Sequence, residues 1–364
     1  MEEIIKQMLL WKKGEKAGPI SIHLDLSNRC NLRCKFCWQR SHERIGLVDT
    51  KNEISEERLL KLVKEAHDLG VKDWLLSGGG EPMLRTETCI KVMKEIKKYG
   101  MFGDIITNGC FLNEENIKEL VHIGWDRIRF SINGSDKEIH DSIVSKDGTF
   151  TEVIKNIELI NKYKREYRKQ KPEIGFNTVI NSLNYRDFPN IVVLLKRLNG
   201  CLLNVQNVIL YSDDEKIYAL NKEQIKDAYI YLKKALDLAN NYKIHTNLGS
   251  YINQEILDKS NKVSKMDKII MDKSQSQDPF INIPCYEPWY LMTIRANGII
   301  GSCRLFGDSG AELADKTLKE IWHGSYFDNA RKKLLTGKLA DYCKKCGANE
   351  IFENVKIREG LKNA

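Results

Sequence analysis

The sequence predicts an α/β fold: a partial (β/α)6, TIM-like barrel followed by a small, cysteine-bearing C-terminal domain. Three observations carry this expectation. Strand-like and helix-like stretches alternate six times between Ile20 and Asn240, the order of parallel strands joined by crossover helices. Turns rich in cysteine, glycine and asparagine fall just past the strand ends, where barrel chemistry gathers. From Pro284 the chain changes character, and four of its ten cysteines lie beyond that point. The expected organisation is a barrel with an N-terminal helix over 1–246, a polar linker or insertion over 247–283, and the C-terminal unit over 284–364.

The elements follow in order. Met1–Lys13 reads as a helix and Ile20–Leu26 as the first strand, running into a cysteine loop. Ser55 is an N-cap and Gly70 a stop for a helix over Ser55–Leu69. Trp74–Leu76 is a buried strand leading into Gly78-Gly79-Gly80, and Gly100 ends the helix Thr86–Tyr99. Strands Asp104–Thr107, Arg127–Ile132, Ile174–Ile180 and Leu203–Ile209 alternate with helices Glu114–Ile123, Phe150–Arg165, Asp187–Leu198 and Lys222–Asn240.

At 364 residues, 42% hydrophobic and 30% charged, the chain is long enough to bury a substantial core. The formal charge of +8 is spread over helix-like stretches with acids interleaved. It reads as solvated faces and not as a nucleic-acid stripe, because no basic run carries interleaved aromatics. No run of 18 apolar residues is present, so no membrane span is expected. Met1-Glu2-Glu3 is not the basic start of an export signal, which predicts a cytoplasmic chain whose clustered cysteines bind metal instead of forming disulfides.

The run Cys30-Asn31-Leu32-Arg33-Cys34-Lys35-Phe36-Cys37 sets three thiols on one short loop. A structural zinc site wants a fourth ligand close by, whereas an iron–sulfur cube held by three cysteines keeps one iron open. This C-x3-C-x2-C pattern, with the aromatic Phe36 before its last cysteine, resembles the signature of the radical S-adenosylmethionine (SAM) enzymes. The resemblance implies that Cys30, Cys34 and Cys37 hold a 4Fe–4S cluster whose open iron chelates SAM, with Phe36 among the cofactor-binding residues. It also implies that an electron from this cluster cleaves SAM to a 5′-deoxyadenosyl radical. Gly78-Gly79-Gly80-Glu81-Pro82 is similar to the family's Gly-Gly-Glu-Pro motif, which assigns Gly79, Gly80 and Glu81 to the SAM amino group. Ser131 matches a family serine near the SAM ribose or carboxylate, and Asn177 is a second candidate for the same ligand. One departure stands out. In His140-Asp141-Ser142-Ile143-Val144, valine occupies the place of the family arginine that pairs with the SAM carboxylate. Another cation must replace it, or the carboxylate is left to the iron and backbone groups.

Cys285, Cys303, Cys343 and Cys346 form a second constellation that resembles the C-terminal extension called SPASM, or twitch in its shorter form. The full form carries seven cysteines for two auxiliary clusters. Four thiolates ligate one 4Fe–4S cube, although a zinc ion would use the same four. The resemblance thus implies SAM and two 4Fe–4S clusters as cofactors, with a flavodoxin or ferredoxin-type electron donor as partner. Cys89 and Cys201 read as small buried hydrophobes, while Cys110 follows a strand end and could face the active site. Relatives with such extensions modify ribosomal peptides, mature sulfatases or oxidise amino-sugar alcohols. The catalytic aspartate of the sulfatase maturases is replaced by Arg304, which argues against that activity. The expected function is SAM-dependent oxidation of a small molecule, with Arg304 binding an anionic or hydroxylated substrate. The alternative is radical modification of a ribosomally made peptide, against which only 29 residues precede Cys30. An iron–sulfur electron carrier or scaffold, the non-enzymatic alternative, would need no SAM site.

Overall fold

The computed structural model describes residues 1–40, 49–210, 213–252, 278, 280–304, 310–340, 343, 346 and 348–364. Most of the expected linker, 253–277 and 279, lies outside the described residues. The strands are β1 Ser21–Asp25, β2 Asp73–Ser77, β3 Phe102–Thr107, β4 Arg127–Phe130, β5 Glu173–Ile180, β6 Leu202–Asn207, β7 His245–Thr246, β8 Leu291–Ile294, β9 Ile299–Gly301 and β10 Ala311–Glu312. They form one sheet in the order β10-β9-β8-β1-β2-β3-β4-β5-β6-β7. From β8 through β7 every pairing is parallel, and β9 and β10 are added antiparallel. The run from β1 to β6 is the expected partial barrel.

Crossover helices cover its outer face: α2 Glu56–Asp68, α3 Thr86–Lys98, α4 Glu114–His122, α5 Lys137–Val144, α6 Thr149–Glu166, α7 Phe188–Arg197 and α8 Lys222–Asn241. Their starts are set locally. The Ser55 hydroxyl accepts from the Arg58 N–H, and Asn113 and Asn221 form capping boxes, each worth about 1 kcal/mol. On β1 the side chains alternate: Ile22 and Leu24 are buried under the helices, while Ser21, His23 and Asp25 take the lumen face. Trp74, Trp125, Phe130, Phe176 and Phe188 anchor the layer between sheet and helices. Trp125 lies so close to β3 that a Cβ at Gly103 would stand 2.1 Å from its ring.

Three features go beyond the sequence reading. α5 was not expected; Asp136 caps it by accepting from the Ile139 N–H. β4 stops at Phe130, so Ser131 stands just past the strand instead of ending it. The C-terminal unit does not begin apart from the barrel either: β8 pairs with β1 from Ser21↔Leu291 to Leu24↔Ile294. A second core ties both chain ends together, from α1 Glu2–Lys12, α9 Glu287–Tyr290 and α10 Ala348–Lys362, with Met8, Trp289, Ile357 and Leu361 buried in it. No described helix is long and apolar enough to cross a membrane.

Gly103→Ala should cost about 1–3 kcal/mol by forcing Trp125 to shift. Urea unfolding should show the midpoint fall with an unchanged slope; a wild-type midpoint would remove Trp125 from that role.

Candidate active site

The three-cysteine loop leaves the C-terminal end of β1 and is held by backbone bonds. Arg33 N–H donates to the Val144 carbonyl at 3.2 Å and Lys35 N–H to the Ile143 carbonyl at 3.0 Å. Where the family arginine was expected, the buried Val144 thus offers its carbonyl to the cysteine loop and no charge. His140 and Asp141 serve the same neighbourhood. His140 Nδ1 accepts from the Asn133 N–H at 3.2 Å, and Asp141 accepts from the N–H groups of Gly148 and Phe150 at 2.8 Å each. Phe36 is partly exposed on the loop.

Burial pushes the Cys30, Cys34 and Cys37 thiols up, that of Cys37 to about 11, and the neighbouring sulfurs add to the effect at Cys34 and Cys37. Cys110 belongs to the same neighbourhood and is pushed by burial to about 11, its sulfur acting on Cys34. Cys89 is buried in the helix layer, and Cys201 is half-buried before β6.

The glycine turn after β2 is clamped against the residues that precede Cys30. Gly80 N–H donates to the Ser27 carbonyl and Glu81 N–H to the Arg29 carbonyl, both at 2.8 Å. A Cβ at Gly79 would meet the Asn28 side chain at 2.1 Å, and one at Gly80 the Arg29 carbonyl at 2.0 Å. Only glycine lets these two loops approach so closely. The buried Glu81 carboxylate accepts from Thr107 Oγ1 at 2.5 Å, the Asn108 N–H at 2.7 Å and the Met83 N–H at 3.0 Å. Its first task is to pin the turn to the end of β3. Asn108 then donates from Nδ2 to Asn31 Oδ1 at 2.8 Å, inside the cysteine loop.

Ser131 follows Phe130 and Asn177 follows Phe176, a register pair of β4 and β5, so the two lie at one level of the lumen. The Ser131 N–H donates to the Thr107 carbonyl at 2.9 Å, and Asn177 Oδ1 accepts from Asn204 Nδ2 at 2.7 Å. The sequence reading missed an ion pair beneath the glycine turn: Arg295, just after β8, donates to the buried Asp25 at 3.0 Å and lies over the Trp38 ring. No local motif marks this pair, because its partners meet only through the β1–β8 pairing.

In the C-terminal unit, Cys285, Cys303, Cys343 and Cys346 line one cavity of about 420 Å³. Four sulfurs around one space fit an iron–sulfur cube, which takes one thiolate per iron. Among the described residues, no three thiol, imidazole or carboxylate groups are drawn closely enough to grip a single metal ion. Arg304, on the same wall, donates to the buried Glu287 at 2.7 Å and to Glu353 at 3.2 Å. Its guanidinium is therefore engaged within the protein.

Residues 24–195 match the radical SAM superfamily model, and residues 285–347 match the SPASM iron–sulfur cluster-binding domain. This chain carries a radical SAM domain followed by a SPASM domain. It shares 25% identity over 93% of its length with the tungsten-containing aldehyde ferredoxin oxidoreductase cofactor-modifying protein of Pyrococcus furiosus, covering 90% of that protein. A PqqA peptide cyclase of Granulibacter bethesdensis is 27% identical over 53% of this chain and 48% of its own. The crystal structure of Streptococcus suis SuiB bound to S-adenosylmethionine shares the fold, with a TM-score of 0.65 at 15% identity over 93% of this chain and 74% of SuiB. As a radical SAM protein with a SPASM domain, the chain takes SAM and a 4Fe–4S cluster in its barrel and further iron–sulfur in its C-terminal domain.

Glu81→Ala would orphan three donors, and the fold should lose at least about 2 kcal/mol. The pH response carries a second signature. Burial raises this carboxyl from 4.5 to about 7, so between those values the folded chain keeps a proton that the unfolded chain releases. Its contribution is full below the lower value and is lost as pH rises through the upper one. Unfolding midpoints at pH 5 and pH 8 should differ less in Glu81→Ala than in wild type; equal differences would contradict the assignment.

Proposed function

We propose that this radical SAM protein is an oxidoreductase-type enzyme that removes a carbon-bound hydrogen atom from a hydroxylated small-molecule substrate, gives up the hydroxyl proton to a base, and passes the remaining electron to one auxiliary 4Fe–4S cluster. The observation that carries this reading is that Cys285, Cys303, Cys343 and Cys346 line one cavity. That set completes the ligation of one cube, leaving no open iron, which suits an electron acceptor better than a substrate-binding metal. When bound at Cys30, Cys34 and Cys37, the first cluster supplies the electron that breaks the sulfonium of SAM and yields the 5′-deoxyadenosyl radical.

The chain's own groups then have distinct tasks. Gly79 and Gly80 keep the backbone close enough to the cysteine loop to meet the SAM amino group. A carboxylate has about four lone-pair positions, so Glu81 retains one for that ammonium after its three internal bonds. Ser131 and Asn177 would face the ribose or carboxylate, and Phe36 flanks the same cofactor. Val144 supplies no charge, so the SAM carboxylate falls to the iron and backbone groups. Arg304 enters as a positioning residue, since Glu287 and Glu353 already hold its guanidinium. Division of labour between a barrel over 1–246 and a cluster domain over 284–364, a flavodoxin or ferredoxin-type donor and a cytoplasmic site complete the reading.

A second reading, radical modification of a ribosomally made peptide, is supported by the 27% identity to the PqqA peptide cyclase. The two separate by substrate class. The first expects 5′-deoxyadenosine formation to be stimulated by a hydroxylated small molecule, and the second by a precursor peptide.

Anaerobic reconstitution should give about eight irons and eight sulfides per chain, four for each cube. A Cys30/Cys34/Cys37→Ala triple variant should keep half of the iron and form no 5′-deoxyadenosine. Cys343→Ala should keep SAM cleavage but lose net oxidation. If the triple variant still cleaved SAM, the cluster assignment would be wrong.

A further inference from the structure

Outside the cysteine loops and the glycine turn, the seam between β1 and β8 carries a polar group that the proposed chemistry has not used. His23 and Thr293 are register partners on these strands, so their side chains stand side by side on the lumen face, about 5 Å apart along the sheet. Thr293 Oγ1 is buried without a hydrogen-bond partner, and so is the hydroxyl of Tyr290, the residue that leads into β8. Thr293 is 3% exposed and Tyr290 1%. No described residue hydrogen-bonds the His23 ring, which is partly exposed toward the lumen. Buried polar groups are nearly always satisfied, so two unmet hydroxyls on one seam, with the His23 ring beside Thr293, point to something that binds them.

We infer that the β1–β8 face of the lumen binds an uncharged hydroxyl group of the substrate, with His23, Thr293 and Tyr290 as its hydrogen-bonding partners. This rests on the reading that the substrate is a hydroxylated small molecule, and it deepens that reading. A hydroxyl has one proton to give and two lone pairs to offer, and the three side chains complement both. Burial, with the Arg304 and Arg129 charges nearby, holds His23 neutral, so its ring has a free nitrogen that accepts. Burial keeps the Tyr290 phenol protonated and therefore a donor, and Thr293 can donate alongside it.

The surrounding charges argue for an uncharged ligand. Arg129 is paired with Asp104 at 3.0 Å, and Arg304 with Glu287 and Glu353. Asp73, pushed by burial to about 6, receives a bond from Ser21 at 3.0 Å. A free anion would meet cations already neutralised and acids that repel it. The location is also apt. The charges of Glu287, Glu353, Arg304 and Cys285 act on the Tyr290 phenol, and three of these four residues line the auxiliary cavity, so the seam lies on that side of the lumen. A hydroxyl held there would sit between the SAM end of β1 and the second cluster.

The test uses the reconstituted holoenzyme and needs no turnover, so its failure is separable from failure of the oxidation reading. Tyr290→Phe and Thr293→Val remove hydroxyls that have no protein partner, and the melting temperature should hold or rise. A fall of roughly 2 °C or more in either variant would show an internal bond and overturn the site. In parallel, His23 is carbethoxylated anaerobically with diethyl pyrocarbonate and followed by peptide mass spectrometry, with myo-inositol as the neutral probe and inorganic phosphate as the anionic control. His23 should react, and inositol at about three times its Kd should slow the reaction about 4-fold. Phosphate should not, and the Tyr290→Phe/Thr293→Val double variant should lose the protection. An inert His23, protection by phosphate alone, no protection by inositol, or undiminished protection in the double variant would each overturn the proposal and leave the seam to ordered water.

Discussion

The parallel pairing of β1 on both edges is the constraint on which the rest of the structure depends. β2 takes one edge, from Ser21↔Asp73 to Asp25↔Ser77, and β8 takes the other. A central strand has no freedom to slip, because a one-residue shift would carry Ile22 and Leu24 from the helix layer into the polar lumen. The end of β1 is therefore fixed, and with it the cysteine loop. The end of β2, which carries the glycine turn, is fixed by the same ladder. The end of β8 is fixed as well, and through it the unit that bears the second cysteine set. Both sulfur sites are thus referenced to one strand of five residues.

Around that strand the protein spends its buried charges on alignment. Glu81 joins the turn after β2 to β3, Asp25 joins β1 to Arg295 after β8, and Glu287 joins α9 to Arg304 after β9. Each carboxylate is buried and each bridges two separate elements. Burying such groups costs more than a surface pair returns, and removal of one partner leaves an uncompensated charge or orphaned donors. These contacts therefore select one arrangement of the loops more than they add stability. The fates of Val144 and Arg304 follow from the same economy. The carbonyl of Val144 secures the cysteine loop, and the charge of Arg304 neutralises the acid at its side.

Much of the fold was legible in the sequence because it depends on local rules. The alternation of apolar positions, the cap at Ser55 and the glycine stops define the barrel's strands and helices within a residue or two. α5 escaped because its eight residues carry too short a period to stand out beside α6. β8 escaped for another reason. Its partner lies some 270 positions away at β1, and Arg295 and Asp25 mark the same distance. No window of sequence contains both halves of such a contact.

The candidate site divides along the same line. Cysteine spacing by itself determined that three thiols share one loop and that four more lie in the C-terminal region, since ligation chemistry leaves its signature in residue type and interval. Gly79-Gly80-Glu81 was equally plain. What only the tertiary structure decided is where each side chain points once the strands are aligned. Glu81 turns to Thr107 and Asn108, Arg304 turns to Glu287 and Glu353, the four C-terminal cysteines close on one cavity, and His23 meets Thr293. These outcomes follow from burial and from the obligation of each buried polar group to find a partner, which is settled only when distant strands have fixed their register.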